Sequence, residues 1–328
     1  MLHIVVNSSE EYIKYTAVLF TSIIYNIEKN KPIKEFFTEN SNFKLLNYNL
    51  LCDNEKKEGI VFHILSDGMH VSMNSKIIQL EQKLNQIYPC QIKIYNINPK
   101  NFTTMGLKAH AGSLVMYYRI LIGSILPEDI EKVLYLDVDM LCFCDLRFLC
   151  ALDFDGKVVY TSTTASKPKF SLKAKNSTHN DEKENIFFEN DYMNIGFMFI
   201  NLKQWRKLDI ENKCLNLFTK YEFAPVMDEL CLNYVLQNYI KFLPLEYQVI
   251  AYFVEAQLEN DRGYFFISFE DEILENATYF INMKKQDFIE ACSRVKMIHY
   301  CGGRGIITKP WKSIYGALDK YYRPYYHK

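Results

Sequence analysis

The amino-terminal hundred residues predict an α/β fold, because short apolar runs of strand length recur there and the stretches between them carry helical periodicity. Residues 2–6 read as a buried strand, and residues 11–27 as a helix with its apolar side chains clustered. Residues 60–65 are a second strand, closed by the turn signal Ser66-Asp67-Gly68. Ile77, Leu80, Leu84 and Ile87 then lie on one helical stripe, and residues 91–97 form a third strand with Pro99 just beyond. Strand, helix, strand, helix, strand implies right-handed crossovers and a parallel sheet. In such sheets ligands collect outside the carboxyl ends of the strands. No glycine occurs in residues 7–11, which argues against a dinucleotide-binding or P-loop protein.

Beyond this point, residues 40–59 stand out as a polar insertion or long loop, and a helix is expected around residues 111–122. Residues 133–136 are a buried-strand run that ends on Asp137-Val138-Asp139. Residues 167–190 are polar and charged with few apolar anchors, the pattern of a mobile loop. Residues 195–201 resume as a strand and residues 228–239 are helical. The expected organisation is one main domain over residues 1–312, with polar insertions near 40–59 and 167–190, and a basic-aromatic tail over 313–328.

Composition narrows the function. Of 328 residues, 49% are hydrophobic and 23% charged, which is a globular chain rather than a disordered one. A total of 38 Lys and Arg against 39 Asp and Glu leaves a net charge of −1, without the broad basic field of a general nucleic-acid binder. The nine cysteines form no framework, and an odd count without a leader points to reduced thiols in a cytosol. Cys142-Phe143-Cys144 lacks the spacing of a zinc knuckle. The start, Met1 to Asn7, lacks the organisation of a secretory leader, and no apolar run reaches the ~18 residues of a membrane span.

Two carboxylates one residue apart at the end of a buried strand repel each other unless something cationic sits between them. With a strand's period of two, Asp137 and Asp139 project to the same side. A hard divalent ion is the natural occupant; a solvated strand end with two harmless acids is the plain alternative. Farther on, His299-Tyr300-Cys301-Gly302-Gly303-Arg304-Gly305 precedes Lys309-Pro310-Trp311. The glycines let backbone approach a bulky ligand, and Lys309 is a compact charge suited to a phosphate. His299 either completes a metal shell with the aspartates or is an ordinary core histidine. An imidazole among carboxylates tilts the metal from Mg²⁺ towards Mn²⁺.

Residues 133–139 with Leu146, the run Tyr192-Met193-Asn194-Ile195-Gly196-Phe197 through Asn201-Leu202 and Trp205-Arg206, and His299-Tyr300-Cys301-Gly302 with Lys309-Pro310-Trp311 follow one another in a set order. This set resembles family 8 glycosyltransferases, in pattern the bacterial lipopolysaccharide and lipooligosaccharide galactosyl- and glucosyltransferases, from Leu2 to about Trp311. The resemblance implies a GT-A fold with a Rossmann-like mixed sheet flanked by helices, a UDP-sugar donor (UDP-galactose or UDP-glucose), Mn²⁺ and retention of anomeric configuration. It assigns Asp137, Asp139 and His299 to the metal, with Val138 at the nucleotide beside them. Lys309 would contact the diphosphate, and Gly302 would allow its close approach. Tyr12 matches a ring that stacks on uracil, and Asn7, Ser9 and Glu11 lie where base and ribose contacts are made. Arg119 matches an arginine that braces the sugar and the acidic motif. Asn194 would touch donor sugar or acceptor, and Asp228 with Glu229 match an acidic pair that holds the donor sugar beside the anomeric carbon.

The chain also departs from that pattern. Ser9 stands where an aspartate is common, Glu229 where a glutamine is frequent and Leu230 where an acid usually follows; extra residues separate Gly302 from Lys309. These differences bear on donor identity more than on reaction class. The implied acceptor is a saccharide or lipid-linked saccharide, such as lipopolysaccharide core, met by a cytoplasmic enzyme at the inner face of the plasma membrane. Lys320, Arg323 and Lys328 among the tail tyrosines fit peripheral contact with anionic lipid. Retention by double displacement through Glu229 or Asp228 and a front-side route are both open. Two other classes share some of these features. One is a non-catalytic sugar-binding protein on the same fold. The other is a haloacid-dehalogenase-type phosphohydrolase, whose first Asp is a nucleophile, but that fold adds a Gly-Asp pair and no Gly-Asp dipeptide occurs here.

Overall fold

The computed structural model describes residues 1–38, 42–103, 107, 109, 113–162, 170–176, 183–188, 192–222, 227–251, 267–269, 279–281 and 283–301. Gly302, Lys309 and the tail at 313–328 lie outside them. Strands β1 (Leu2–Asn7), β2 (Ile60–Ser66) and β3 (Cys90–Asn96) are the three read from the sequence, and they pair in parallel in that order. β1 and β2 are apolar and almost wholly buried, as interior parallel strands must be, whereas β3 is half-exposed and carries Lys93, as suits an edge. The helix Ile13–Tyr25 makes the first crossover and stacks Phe20 on Phe62 of β2, ring centroids 4.0 Å apart. The helix Val71–Asn85 makes the second: Ile77 and Leu84 are buried, and Leu80 and Ile87 pack partly exposed against the same core.

After β3 the chain returns across the sheet to β4 (Lys132–Leu136), which pairs in parallel with β1 on the side away from β2. Next come β5 (Met140–Cys142), β6 (Val159–Ser162), β7 (Phe170–Asn176), β8 (Lys183–Phe188), β9 (Phe197–Asn201), β10 (Tyr221–Glu222) and β11 (Ile240–Leu243). The main sheet has seven strands in the order β11-β6-β9-β4-β1-β2-β3. Only β9 opposes its neighbours; the other pairs are parallel. Alternate side chains of β4 enter two cores, Val133 and Tyr135 on one face, Leu134 and Leu136 on the other. Strand order reverses between β1 and β4, so a crevice opens at their carboxyl ends, beside Asn7 and Asp137.

Two expectations need correcting. The helix expected at 111–122 is, in its described part, the 3₁₀ helix Val115–Leu121 followed by the short α-helix Ile122–Ile125. Val115, Tyr117, Tyr118 and Ile120 are β-branched or aromatic, so α-helical propensity is weak there. The loop expected at 167–190 contains β7 and β8, which pair antiparallel, with β10 added to β7. Charged neighbours conceal the alternation: within β8 Ile186 and Phe188 are buried while Phe187 is exposed. Phe188 packs on Tyr192 and Tyr234, ring centroids 5.9 and 6.2 Å away, and so lays this small sheet over the helix Met227–Leu236.

The remaining strands are β12 (Val249–Ile250), β13 (Ile267–Phe269), β14 (Tyr279–Ile281) and β15 (Met297–His299). β15 lies between β12, parallel, and β5, antiparallel. That register sets His299 opposite Met140, the residue after Asp139. No helix among the described residues is long and apolar enough to cross a membrane.

Candidate active site

The crevice at the switch point has a volume of about 420 Å³. Asn7, Ser9, Glu11 and Tyr12 line it from the end of β1; Ser113, Val115, Met116 and Arg119 from in and around the 3₁₀ helix; Tyr135, Asp137, Val138 and Asp139 from the end of β4. Every described residue that the sequence places at a nucleotide is therefore on one wall or another of this crevice. The Asn7 amide nitrogen donates to the carbonyl of Val115 at 2.9 Å and faces that of Met116 at 3.4 Å. This leaves its buried Oδ1 without a hydrogen-bond partner among the described residues. The Tyr12 ring is 40% exposed and rests edge-on against Tyr15.

β4 stops at Leu136, so Asp137 and Asp139 converge through the turn into β5 and not through the strand period expected for them. The Asp137 N–H donates to the Gly196 carbonyl at 2.8 Å, and the Tyr300 N–H to the Asp139 carbonyl at 2.9 Å, which fixes both backbones. His299 Nε2 lies 3.2 Å from Asp139 Oδ1 and 3.5 Å from Asp137 Oδ2. One ligand atom from each of the three falls within 4.8 Å of the others, close enough for a single metal ion to reach all three. Burial opposes charge on His299, but the neighbouring Cys301 and Asp139 outweigh it and lift the imidazole well above its ordinary range. Gly196 backs this arrangement: a Cβ there would overlap His299 Cε1, so only glycine lets the ring sit where it does.

Arg119 ties the triad to the second acidic group. Its Nη2 is 2.9 Å from Asp137 Oδ1 and its Nε 3.2 Å from Asp228 Oδ2, while Nη1 donates to the Ile195 carbonyl at 3.3 Å. The guanidinium lies over the Tyr135 ring at 4.6 Å, and the Tyr135 hydroxyl donates to Asp137 Oδ1 at 2.7 Å. Asp228 and Glu229 stand in the first turn of the helix Met227–Leu236. Burial raises Asp228 against the pull of Arg119. Glu229 accepts from the Tyr192 hydroxyl at 2.9 Å, and burial pushes its carboxyl up to about 7. Asn194, expected at a sugar, has its Oδ1 engaged within the protein by the Gly196 N–H at 3.0 Å and by the Gln248 amide at 2.7 Å.

Sequence reasoning missed Tyr135, Tyr192, Gly196 and Gln248 as parts of this site. Tyr135 was findable, since it stands two residues before Asp137, where the expected strand period puts both on one side. Gln248 was not, because it reaches the site only through the pairing of β12 with β15.

The Glu229 shift has a measurable consequence. Its carboxyl titrates near 7 in the folded protein against 4.5 in the reference state, so the folded form holds the proton more tightly. The stability it contributes is full below about pH 4.5 and is lost as pH rises through about 7. Glu229→Gln should remove that part of the pH dependence. Melting of metal-free wild type and variant at pH 5 and pH 7.5 checks it; identical pH dependence in the two would contradict the shift.

A sequence model described as glycosyl transferase family 8 matches residues 3–315. A lipopolysaccharide 1,2-glucosyltransferase of Escherichia coli is 27% identical over 282 residues, 84% of this chain and 72% of that protein. General stress protein A of Bacillus subtilis (strain 168) is 22% identical over 332 residues, 100% of this chain and 92% of that one. Among solved structures, the galactosyltransferase LgtC in complex with donor and acceptor sugar analogs superposes with TM-score 0.60 at 16% identity, covering 99% of this chain and 95% of its own. The bifunctional glycosyltransferase WbbM superposes with TM-score 0.63 at 18% identity over 98% of this chain, which spans only 49% of WbbM. These structural likenesses show the fold, which is GT-A.

Proposed function

The chain belongs to glycosyl transferase family 8, and from that premise we propose that it moves galactose or glucose from a UDP-sugar to a saccharide acceptor, with Mn²⁺ and with retention of anomeric configuration. One feature carries this reading: a single crevice brings together Asn7, an accessible ring at Tyr12 and the carboxylates of Asp137 and Asp139, with His299 within reach of both carboxylates. In this reading Asn7, Ser9 and Glu11 stand at the base and ribose, and Tyr12 stacks on the uracil. Asp137, Asp139 and His299 hold the cation, which when bound supplies positive charge where the departing diphosphate becomes negative. Their mix of carboxylate and imidazole favours Mn²⁺.

Arg119 keeps Asp137 and Asp228 in fixed relation, so the leaving-group side and the sugar side of the site are set by one guanidinium. Asp228 and Glu229 accept hydrogen bonds from the sugar's hydroxyls, and one of them is the carboxylate near the anomeric carbon if retention proceeds by double displacement. Gly302 and Lys309 remain proposed at the diphosphate. The name of the Escherichia coli relative supports a lipopolysaccharide-type acceptor, which would place the enzyme in the cytoplasm at the inner face of the membrane, with the tail at 313–328 as its contact.

A panel of UDP-sugars with Mn²⁺, scored for released UDP and for the anomer of the product by NMR, tests the proposal. UDP release from UDP-galactose or UDP-glucose, with an α-linked product from the α-linked donor, is expected. Binding without turnover would point to a sugar-binding protein; absence of UDP binding with Mn²⁺ in excess would sink the donor assignment altogether.

A further inference from the structure

We propose that the slot between the helices Ile13–Tyr25 and Val71–Asn85 is a binding site for a medium-chain fatty-acid carboxylate, separate from the crevice at the switch point. The slot has a volume of about 330 Å³. Ile64 of β2 and Ile92 of β3 form its floor, Ala17 stands on one wall, and Met73 and Leu80 stand on the other. The small side chain of Ala17 leaves room that Met73 and Leu80, both only half-buried, do not fill. Nothing in this reading depends on the transfer reaction.

Packed interiors leave few voids larger than a water molecule, and an apolar slot gives water too few partners to hold it. Thr16 is the one uncharged polar residue of the lining, and its hydroxyl is already engaged, donating to Ser8 Oγ at 2.9 Å. An apolar chain is the occupant such a lining favours. The volume lies at the lower end of the ~300–1,000 Å³ range of ligand pockets. At ~30 Å³ for each heavy atom of a liquid, the slot takes a single chain of about ten carbons.

Charge at the slot selects the head of the ligand. The two charged residues of the lining are both cationic, Lys14 from one helix and Lys76 from the other, and both are exposed. Side chains of this kind lay their methylenes along apolar surface and keep the ammonium in water, so a carboxylate at the mouth meets a cation from either helix. Lys14 Nζ lies 4.9 Å from the centroid of the Tyr15 ring. The acids that precede the first helix are placed elsewhere: Glu10 accepts from the His70 N–H at 3.2 Å, and Glu11 lines the switch-point crevice. Charge thus favours an anion over a cationic amphiphile, and volume a single chain over a diacyl lipid. Ile13 lines the slot and Tyr12 the crevice, and the two share no lining residue, so a ligand in the slot leaves the crevice open.

The test uses the full chain and decanoate, by titration calorimetry, with melting curves as the control for folding. Wild type should bind decanoate, and affinity should rise about fourfold per methylene from hexanoate to decanoate before levelling off in longer chains that outgrow the slot. Ala17→Leu fills the slot and should weaken decanoate binding about tenfold or more, since it denies room to several methylenes. If that variant does not fold, Met73→Trp, at a half-buried position on the opposite wall, decides by the same criterion. Lys14→Gln with Lys76→Gln should weaken decanoate about fivefold, the scale of two exposed ion pairs, and leave decanol binding unchanged. No uptake of decanoate by wild type, or equal affinity in a folded filled variant, overturns the site; equal affinity in the lysine variant overturns the anionic head. Loss of decanoate binding in excess UDP with Mn²⁺ would place the chain in the crevice and overturn the proposal too. Binding to phosphatidylglycerol vesicles that Ala17→Leu abolishes, without uptake of decanoate, would replace the fatty acid by a membrane lipid.

Discussion

Asp139→Asn should lower glycosyl transfer about 1,000-fold or more while the protein still folds, because a metal-held charge on the leaving group is worth several kcal/mol in the transition state. Asp139 is the cleaner of the two aspartates to change. Asp137 has a second task, since its Oδ1 also receives Arg119 and the Tyr135 hydroxyl, and its loss would disturb the guanidinium that reaches on to Asp228. Asparagine at 139 keeps the shape of the side chain and the backbone bond to the Tyr300 N–H, and removes the charge facing His299. The variant should also lose Mn²⁺ uptake in calorimetry and melt within a few degrees of wild type. Full activity with Mn²⁺ uptake abolished would show that the cation is not used in the reaction; full uptake would show that Asp139 does not hold it.

Much of the crevice's lining was legible in the sequence because it lies on the part of the fold that local patterns specify. β1, β2 and β4 are nearly continuous apolar runs, and the residues that follow β1 and β4 fall at the switch point by topology alone. The family resemblance put Asn7, Tyr12, Asp137 and Asp139 at one nucleotide, and the pairing of β4 with β1 brings all four to one crevice. His299 could be suspected but not placed, since its approach depends on the antiparallel pairing of β15 with β5. The strands β7 and β8 were read as a loop for a related reason. Their pairing is non-local in its support, and apart from Ile186 and Phe188 the hydrophobic alternation in β8 is diluted by charged residues. Gln248 and Gly196 act by contact with residues about fifty and a hundred positions away, which no periodicity encodes.

Arg147→Met should destabilise the fold by about 3–5 kcal/mol without touching the crevice, as expected when one partner of a buried ion pair is removed. Arg147 is 1% exposed, and its guanidinium grips Asp145 through Nε at 3.0 and 3.1 Å and through Nη2 at 2.6 Å. It also donates to the carbonyls of Glu28 and Lys31 at 2.8 and 2.9 Å, to Glu58 at 3.0 Å and to the Tyr88 hydroxyl at 3.1 Å. One side chain therefore joins the segment after the first helix, the approach to β2 and the approach to β3. Methionine fills similar space but leaves the Asp145 carboxylate buried, held among the described residues by the backbone N–H groups of Glu28 and Arg147. The penalty is largely that stranded charge, so Asp145→Asn added to Arg147→Met should recover part of the loss, a non-additivity expected of groups in contact. Denaturant unfolding of the two single variants and the double measures it. Transfer activity per folded molecule should stay at the wild-type level in all three, and a single variant as stable as wild type would show that the network is not what anchors these segments.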